Sequence, residues 1–303
     1  MRDRTEWLKA RRRGIGGSDV AGILGVSKWR TPRDIWLSKI ETGEPDDSPS
    51  VQQMIGTALE PHVLDQYARQ TGRHVRRSHR ILTRDHYLLA SLDATAAGRI
   101  IEIKTARNQD GWGDPGSDDI PTEYWLQVQH YLHVAEADHC DLAVMFLNQP
   151  NPQAEIYPIK RSADYNDIAQ QLLDWWGRHV IGNAEPEPVN SAECNDRWRR
   201  SVAGKVTASS ETETALGELR SVRVRLADLK ERQDQLETQI KTAMADADSL
   251  VSPSGEVLAT WRTSVSRRLD SAAIRAANPE LAHQCTVESV SRRFLLKGGV
   301  SDE

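Results

Sequence analysis

Apolar and polar positions alternate along the chain with two different periods, and the change of period marks the elements. Residues 3–13 have a helical period, which "GIGGSDV" breaks with three glycines. Ser18 or Asp19 can then cap a helix running through "VAGILG". "TPRDIWLSKIETG" predicts another helix, with Thr31 as N-cap, Pro32 in the first turn and Gly43 as the stop. A longer helical pattern, "SVQQMIGTALEPHVLDQYARQTG", closes at Gly72, and Pro61 either kinks it or starts a new helix.

The period then changes to two. Tyr87–Leu92 and Arg99–Lys104 predict strands, joined by a short "ATAAG" connection. Residues 107–121, rich in Gly, Asp and Pro, predict a loop. "EYWLQVQHYLHVAEA" is helical by period, "CDLAVMFLN" is a buried strand by composition, and "AEIYPIKR" is its partner. "ADYNDIAQQLLDWWGRHVIG" predicts an amphipathic helix. The expected fold class is α/β (α+β): a central mixed sheet flanked by helices, with a C-terminal helical extension. The domain reading is a core over 1–182, a linker or irregular wrap over 183–215, and an extension over 216–303. In that extension Leu219, Val222, Leu226, Leu229, Leu236 and Ile240 repeat at spacings of three and four, with Gln233 on the same seam. An intermolecular coiled coil and a helical arm within one subunit fit that seam equally.

Composition narrows the class. The 303 residues are 38% hydrophobic and 27% charged, with no run of about 18 apolar residues, so no membrane span is expected. "MRDRTEWLKARRR" lacks the apolar stretch of a secretory signal, which makes the cytoplasm the simplest location. Three cysteines, Cys140, Cys194 and Cys285, are too few and too scattered for a disulfide framework or a zinc site. The net charge of −5 hides an asymmetry: residues 1–80 carry 15 Lys+Arg against 10 Asp+Glu, clustered in "ARRRG" and "GRHVRRSHR". Such clusters can hold phosphates locally on an acidic protein.

The candidate chemistry lies in "LLASLDATAAGRIIEIKTA". On a strand Glu102 and Lys104 share one face while Ile101 and Ile103 share the other. An acid and a base on a mostly apolar strand are either an ion pair or part of a site, because burying them unpaired is costly. Asp93, across a hairpin from Glu102, would add a second carboxylate, and two carboxylates with a backbone carbonyl suit Mg²⁺. Lys104 could then orient or deprotonate a water and stabilise phosphorane-like charge. Glu60 is a third carboxylate in an apolar context. Tyr124 and Gln127 lie three apart on one helical face, and Gln127 and Gln129 bracket Val128 in an otherwise apolar helix.

The order "GIGGSDVAGILG", "GTALEP", "SLD", "EIKT", "YWLQVQHYLHV" resembles the YqaJ-type viral recombinase family. This is the lambda exonuclease-like, phage alkaline exonuclease group of the PD-(D/E)XK nuclease superfamily. The likeness spans roughly residues 5–182. It implies a restriction-endonuclease-like core and a metal-dependent 5′→3′ exonuclease on double-stranded DNA. The 3′ overhangs it makes would feed a single-strand annealing partner in phage recombination.

By resemblance, Asp93, Glu102 and the carbonyl of Ile103 hold Mg²⁺, with Mn²⁺ substituting. Glu60 completes the site, Lys104 is the catalytic lysine, and Gln127 and Tyr124 stand beside the scissile phosphate. Arg11 and Ser18 match the grip on a 5′-terminal phosphate, with Arg12 and Arg13 close enough to compete for that role. A homo-oligomer, a trimeric ring in the family, is also implied. Two positions depart from the pattern: Leu92 stands where a proline usually precedes the aspartate, and Ala94 where a glycine usually follows. Both shape the turn rather than ligate. Two other readings compete: a structure-specific or endonucleolytic nuclease on the same core, and a non-catalytic DNA-binding scaffold.

Overall fold

The computed structural model describes residues 4–44, 48–78 and 80–297. The chain divides into two compact units, 1–194 and 195–303.

The first unit is built on a five-stranded sheet. Its strands, in spatial order, are β2 (Arg76–Arg77), β5 (Ala94–Ala96), β6 (Arg99–Ala106), β7 (His139–Phe146) and β8 (Ala154–Lys160). The β6–β7 pair is parallel and the others are antiparallel, so the sheet is mixed, as the pattern predicts. β6 and β7 are apolar on both faces because helices cover both. On one face Ile101 and Ile103 pack with Val63, Leu64 and Tyr67 of α4 (Val51–Thr71). On the other, Ile100 and Leu142 pack with Leu126, Val128 and Leu132 of α5 (Thr122–Val134).

Local signals explain the helix boundaries. Ser50 caps α4 by accepting from the Gln53 N–H, while the Gln53 side chain accepts from the Ser50 N–H. Gly72 ends α4 in the left-handed region, at φ 66°, where a side chain would be strained. The helix runs unbroken through Pro61. Thr31 caps α3 (Pro32–Ile40) as expected, and the helix ends three residues before Gly43.

Three expectations need correction. "ATAAG" is not a connection, because Ala94–Ala96 form β5 and only Ala97 and Gly98 turn. The preceding strand, β4 (Leu88–Ser91), belongs to a separate three-stranded sheet with β1 (Ile15–Gly16) and β3 (Ile81–Arg84). The stretch 183–215 contains a short helix, α7 (Ser191–Arg197). The cap of α2 (Gly17–Ile23) is Gly16, whose N–H donates to Asp19, rather than Ser18 or Asp19 itself.

A buried histidine ties the small sheet to α5. His130 Nε2 lies 3.1 Å from the carbonyls of both Ile15 and Leu89, so it carries the proton. Nδ1 then accepts from the Tyr165 hydroxyl at 2.9 Å. Burial depresses the imidazole to about 4. The folded protein therefore keeps this ring neutral where the unfolded chain protonates it. Its contribution is complete above pH 6.5 and is lost as the pH falls towards 4, a loss of about 3 kcal/mol. Thermal melts of His130→Gln between pH 7 and 4.5 are expected to show a flatter acid limb than wild type; superimposable limbs would remove His130 as its cause.

The second unit contains α8 (Ser210–Met244), capped by Ser209, then an antiparallel hairpin, β9 (Ser249–Val251) with β10 (Val257–Thr260). Two short helices, α9 (Ser271–Ala277) and α10 (Pro279–Gln284), follow. No helix among the described residues is long and apolar enough to cross a membrane.

Candidate active site

The β5–β6 register pairs Ala94 with Ile101 and Thr95 with Ile100, so one step further back places Asp93 opposite Glu102. Asp93 immediately precedes β5, where the ladder would otherwise leave the Ile103 N–H unmatched. Its Oδ2 accepts that N–H at 2.8 Å. A residue's N–H and C=O project to the same side of a strand, so the Ile103 carbonyl shares the Asp93 side.

Glu102 is 3% exposed and points towards α5. Its Oε1 accepts from Lys104 Nζ at 2.7 Å and from Gln127 Nε2 at 2.7 Å. Its Oε2 is buried and meets no N–H donor; the carboxyl lies within hydrogen-bonding reach of Asp93 instead. Burial first, and the neighbouring Asp93 carboxylate second, push Glu102 up to about 8. Asp93 is pushed up by burial as well. Burial alone would lower the Lys104 ammonium, but Glu102 and Asp93 outweigh it and the net shift is upward. Two acids thus face one ammonium in a desolvated place, and Glu102 holds its proton because burial and the Asp93 carboxylate disfavour a second negative charge there.

Glu60 reaches the same cleft from α4, on the other face of the sheet. Its carboxyl is raised by burial and then by Asp93. It lines the cleft without joining the tight pair: among the described residues no three His, Cys, Asp or Glu side chains are gathered closely enough to hold a metal ion. The donor set is nonetheless hard and oxygen-rich. Two buried acids that hold a proton between them, with one oxygen that meets no N–H donor, are an arrangement a divalent cation relieves by displacing that proton, so Asp93, Glu102 and the Ile103 carbonyl fit Mg²⁺ chemistry.

The cleft, about 520 Å³, is also lined by Arg11 and Ser18. Arg11 donates to the Ser18 hydroxyl at 2.6 Å. Asp19, 1% exposed, anchors this corner. It accepts from Lys39 Nζ at 2.7 Å and from Arg30 at 2.9 Å, and Arg11 lies 3.6 Å away. Burial opposes its ionisation, but Lys39, Arg11 and Arg30 outweigh that and hold it well below the usual carboxylate range. Of the "RRR" run, Arg12 instead meets the Gly43 carbonyl and Glu41, and Arg13 lines a neighbouring cavity.

Tyr124 stands behind Lys104, its ring centroid 5.8 Å from Nζ and stacked on Trp112. Gln129 belongs elsewhere: it bonds the Lys160 carbonyl and the Ser162 N–H on the far side of α5. Its i, i+2 spacing from Gln127 already puts it off that face.

Two lining residues escaped the motif reading. Tyr131, one helical turn after Gln127, accepts from Gln127 Nε2 at 3.0 Å. Trp7, one turn before Arg11, lies under its guanidinium at 4.8 Å and donates to Ser91. Both obey the i, i+4 spacing from a candidate site residue, and that spacing was the available signal. Gly17 is forced by this packing: a Cβ there would lie 2.6 Å from the Tyr131 ring and 3.0 Å from Gln127.

Comparison with known proteins agrees with the motif order. The profile of the YqaJ-like viral recombinase domain matches residues 6–138. A full-length relative, uncharacterized protein YqaJ of Bacillus subtilis (strain 168), is 31% identical over 308 residues, covering 97% of this chain and 94% of the relative. The chain belongs to the YqaJ-like viral recombinase family. Every site residue above, from Arg11 to Tyr131, lies inside the family profile. The second unit lies outside it, but the B. subtilis YqaJ relative spans it as well. Among solved structures, the alkaline exonuclease LHK-Exo of Laribacter hongkongensis is similar at 21% identity, over 58% of this chain and 93% of that one, with a TM-score of 0.48. A phage-related exonuclease of Haemophilus somnus 129PT is similar at 12% identity, over 59% and 100%, with a TM-score of 0.44.

Proposed function

We propose that this YqaJ-family protein is a Mg²⁺-dependent 5′→3′ exonuclease acting on the ends of double-stranded DNA. One observation carries the reading: the desolvated Asp93–Glu102 pair, with an oxygen that meets no N–H donor, shares a cleft with Lys104 and with the Arg11–Ser18 pair. An oxygen-lined cation site next to a fixed cationic hydrogen-bond donor suits a phosphate diester better than a neutral substrate.

In the reaction, water attacks phosphorus in line. A P–O bond to water forms and the P–O3′ bond breaks, leaving a 5′-phosphate and a 3′-hydroxyl. Bound Mg²⁺ would polarise the phosphate and offset charge on the leaving oxygen. Lys104, with its raised pKa, stays an ammonium near neutral pH and serves as hydrogen-bond donor and counter-charge to the non-bridging oxygens. Gln127 fixes the Glu102 carboxylate while Tyr131 fixes Gln127. Tyr124 backs the Lys104 stem. Arg11 and Ser18 take the 5′-terminal phosphate, which favours chain ends over internal positions. The resulting 3′ overhang is the substrate that a single-strand annealing protein needs.

Digestion of linear duplexes with and without 5′-phosphates tests the end grip. Arg11→Ala is expected to lower the preference for phosphorylated ends about 10- to 100-fold, the worth of one charge-assisted contact. An unchanged preference would remove Arg11 from that role, and cleavage of closed circles would favour an endonuclease.

A further inference from the structure

The apolar seam of α8 is bare. Of its 35 residues only Met244 is buried. Val222, Leu226, Leu229, Leu236 and Ile240 are all exposed, Leu229 by 66%. The hairpin and tail of the same unit touch the helix near its ends, through Lys241 with Trp261 and Arg220 with the Lys297 carbonyl. Among the described residues of this unit no other helix or strand packs along the middle. Among those residues the seam therefore has no helical partner. A continuous apolar stripe of this length in water calls for a cover.

We infer that the cover is a second copy of this chain, with the two α8 helices paired parallel and in register as a coiled coil. With Leu219, Leu226, Gln233 and Ile240 at the a positions, the d positions are Val222, Leu229, Leu236 and Ala243. Charge decides the orientation. In the parallel pair the residues flanking the seam bring Glu218 to Arg223 of the second copy and Arg232 to Glu237, against one repulsive approach of Arg225 to Lys230. In the antiparallel pair that overlaps this same seam, Arg223 meets Glu237, but Arg232 meets Arg232 and Lys230 meets Lys230, so attraction and repulsion cancel. The polar seam residue agrees. Parallel pairing sets Gln233 against Gln233, where two amides can bond each other, whereas antiparallel pairing over the same seam sets it against Leu229. The interface is independent of the nuclease site and of its proposed activity.

Cross-linking of the full chain tests this. Cys194 and Cys285 are replaced by Ser, leaving only the buried Cys140. Leu229→Cys is expected to form an interchain disulfide under mild oxidation, several-fold faster than Thr238→Cys on the outer face. Leu226→Glu added to Leu229→Cys is expected to abolish the cross-link. Light scattering of the unmodified chain is expected to give at least twice 34.0 kDa. A 34.0 kDa species, equal cross-linking at 229 and 238, or a cross-link that forms only when Leu226→Cys and Leu236→Cys chains are mixed would overturn the proposal. The last outcome would mean antiparallel pairing.

Discussion

Glu102→Gln is expected to abolish DNA cleavage while making the metal-free protein more stable. In the folded protein Glu102 retains a proton up to about pH 8, whereas in the unfolded chain it loses it near its ordinary value. Holding this group in the fold is therefore a cost that begins above the ordinary carboxylate range and grows until pH 8. A neutral amide of the same shape removes that cost, on the order of 3 kcal/mol at pH 7. Mg²⁺ should do by binding what the substitution does by chemistry. It is expected to raise the Tm of the wild-type chain by a few degrees at saturating concentration, and to leave Glu102→Gln unmoved. Lys104→Ala should keep the Mg²⁺ response and lose about 10²- to 10⁴-fold in cleavage rate, since its role is charge on the phosphate rather than the metal. Wild-type rates in Lys104→Ala, or an Mg²⁺-induced shift that survives Glu102→Gln, would sink the assignment.

Asp19→Asn is expected to be the most damaging single substitution for stability. Lys39, with a side chain only 4% exposed, depends on Asp19 for its counter-charge. Removing one partner of a buried pair leaves an uncompensated charge, at about 3–5 kcal/mol. For a unit of this size that is roughly a 10 °C fall in Tm. Replacing Lys39 with Met in the same chain should recover much of the loss, because the stranded charge is then gone. A single variant that melts within a degree of wild type would show that the cluster is hydrated. Asp19 also holds Arg11, so the folded fraction of Asp19→Asn should show a weaker preference for 5′-phosphorylated ends.

Much of the site was legible in one dimension. Glu102 and Lys104 had to share a face because strands alternate, and the Ile101–Ile103 face had to be buried. Gln127 followed from the helical period of a mostly apolar segment. Motif order carried the family. The position of Asp93 was less accessible: its pairing with Glu102 was foreseen, but the strand that provides it, "ATA", is too short and too small in side chains to register as one.

Local periodicity and capping determined the helices α3, α4, α5 and α8, the strands β6 and β7, and the common face of Glu102 and Lys104. These depend on neighbours a few residues away, so the sequence states them directly. Long-range packing decided the rest. It split β4 and β5 between two sheets, brought Glu60 to the cleft from the opposite face, and chose Arg11 among three adjacent arginines through Asp19 and Trp7. It also left Glu102 Oε2 buried without an N–H donor, while Gln129, two residues from Gln127, was fully occupied. Desolvation, which moves the Glu102 proton, depends on everything that surrounds a side chain, and only the folded chain determines that.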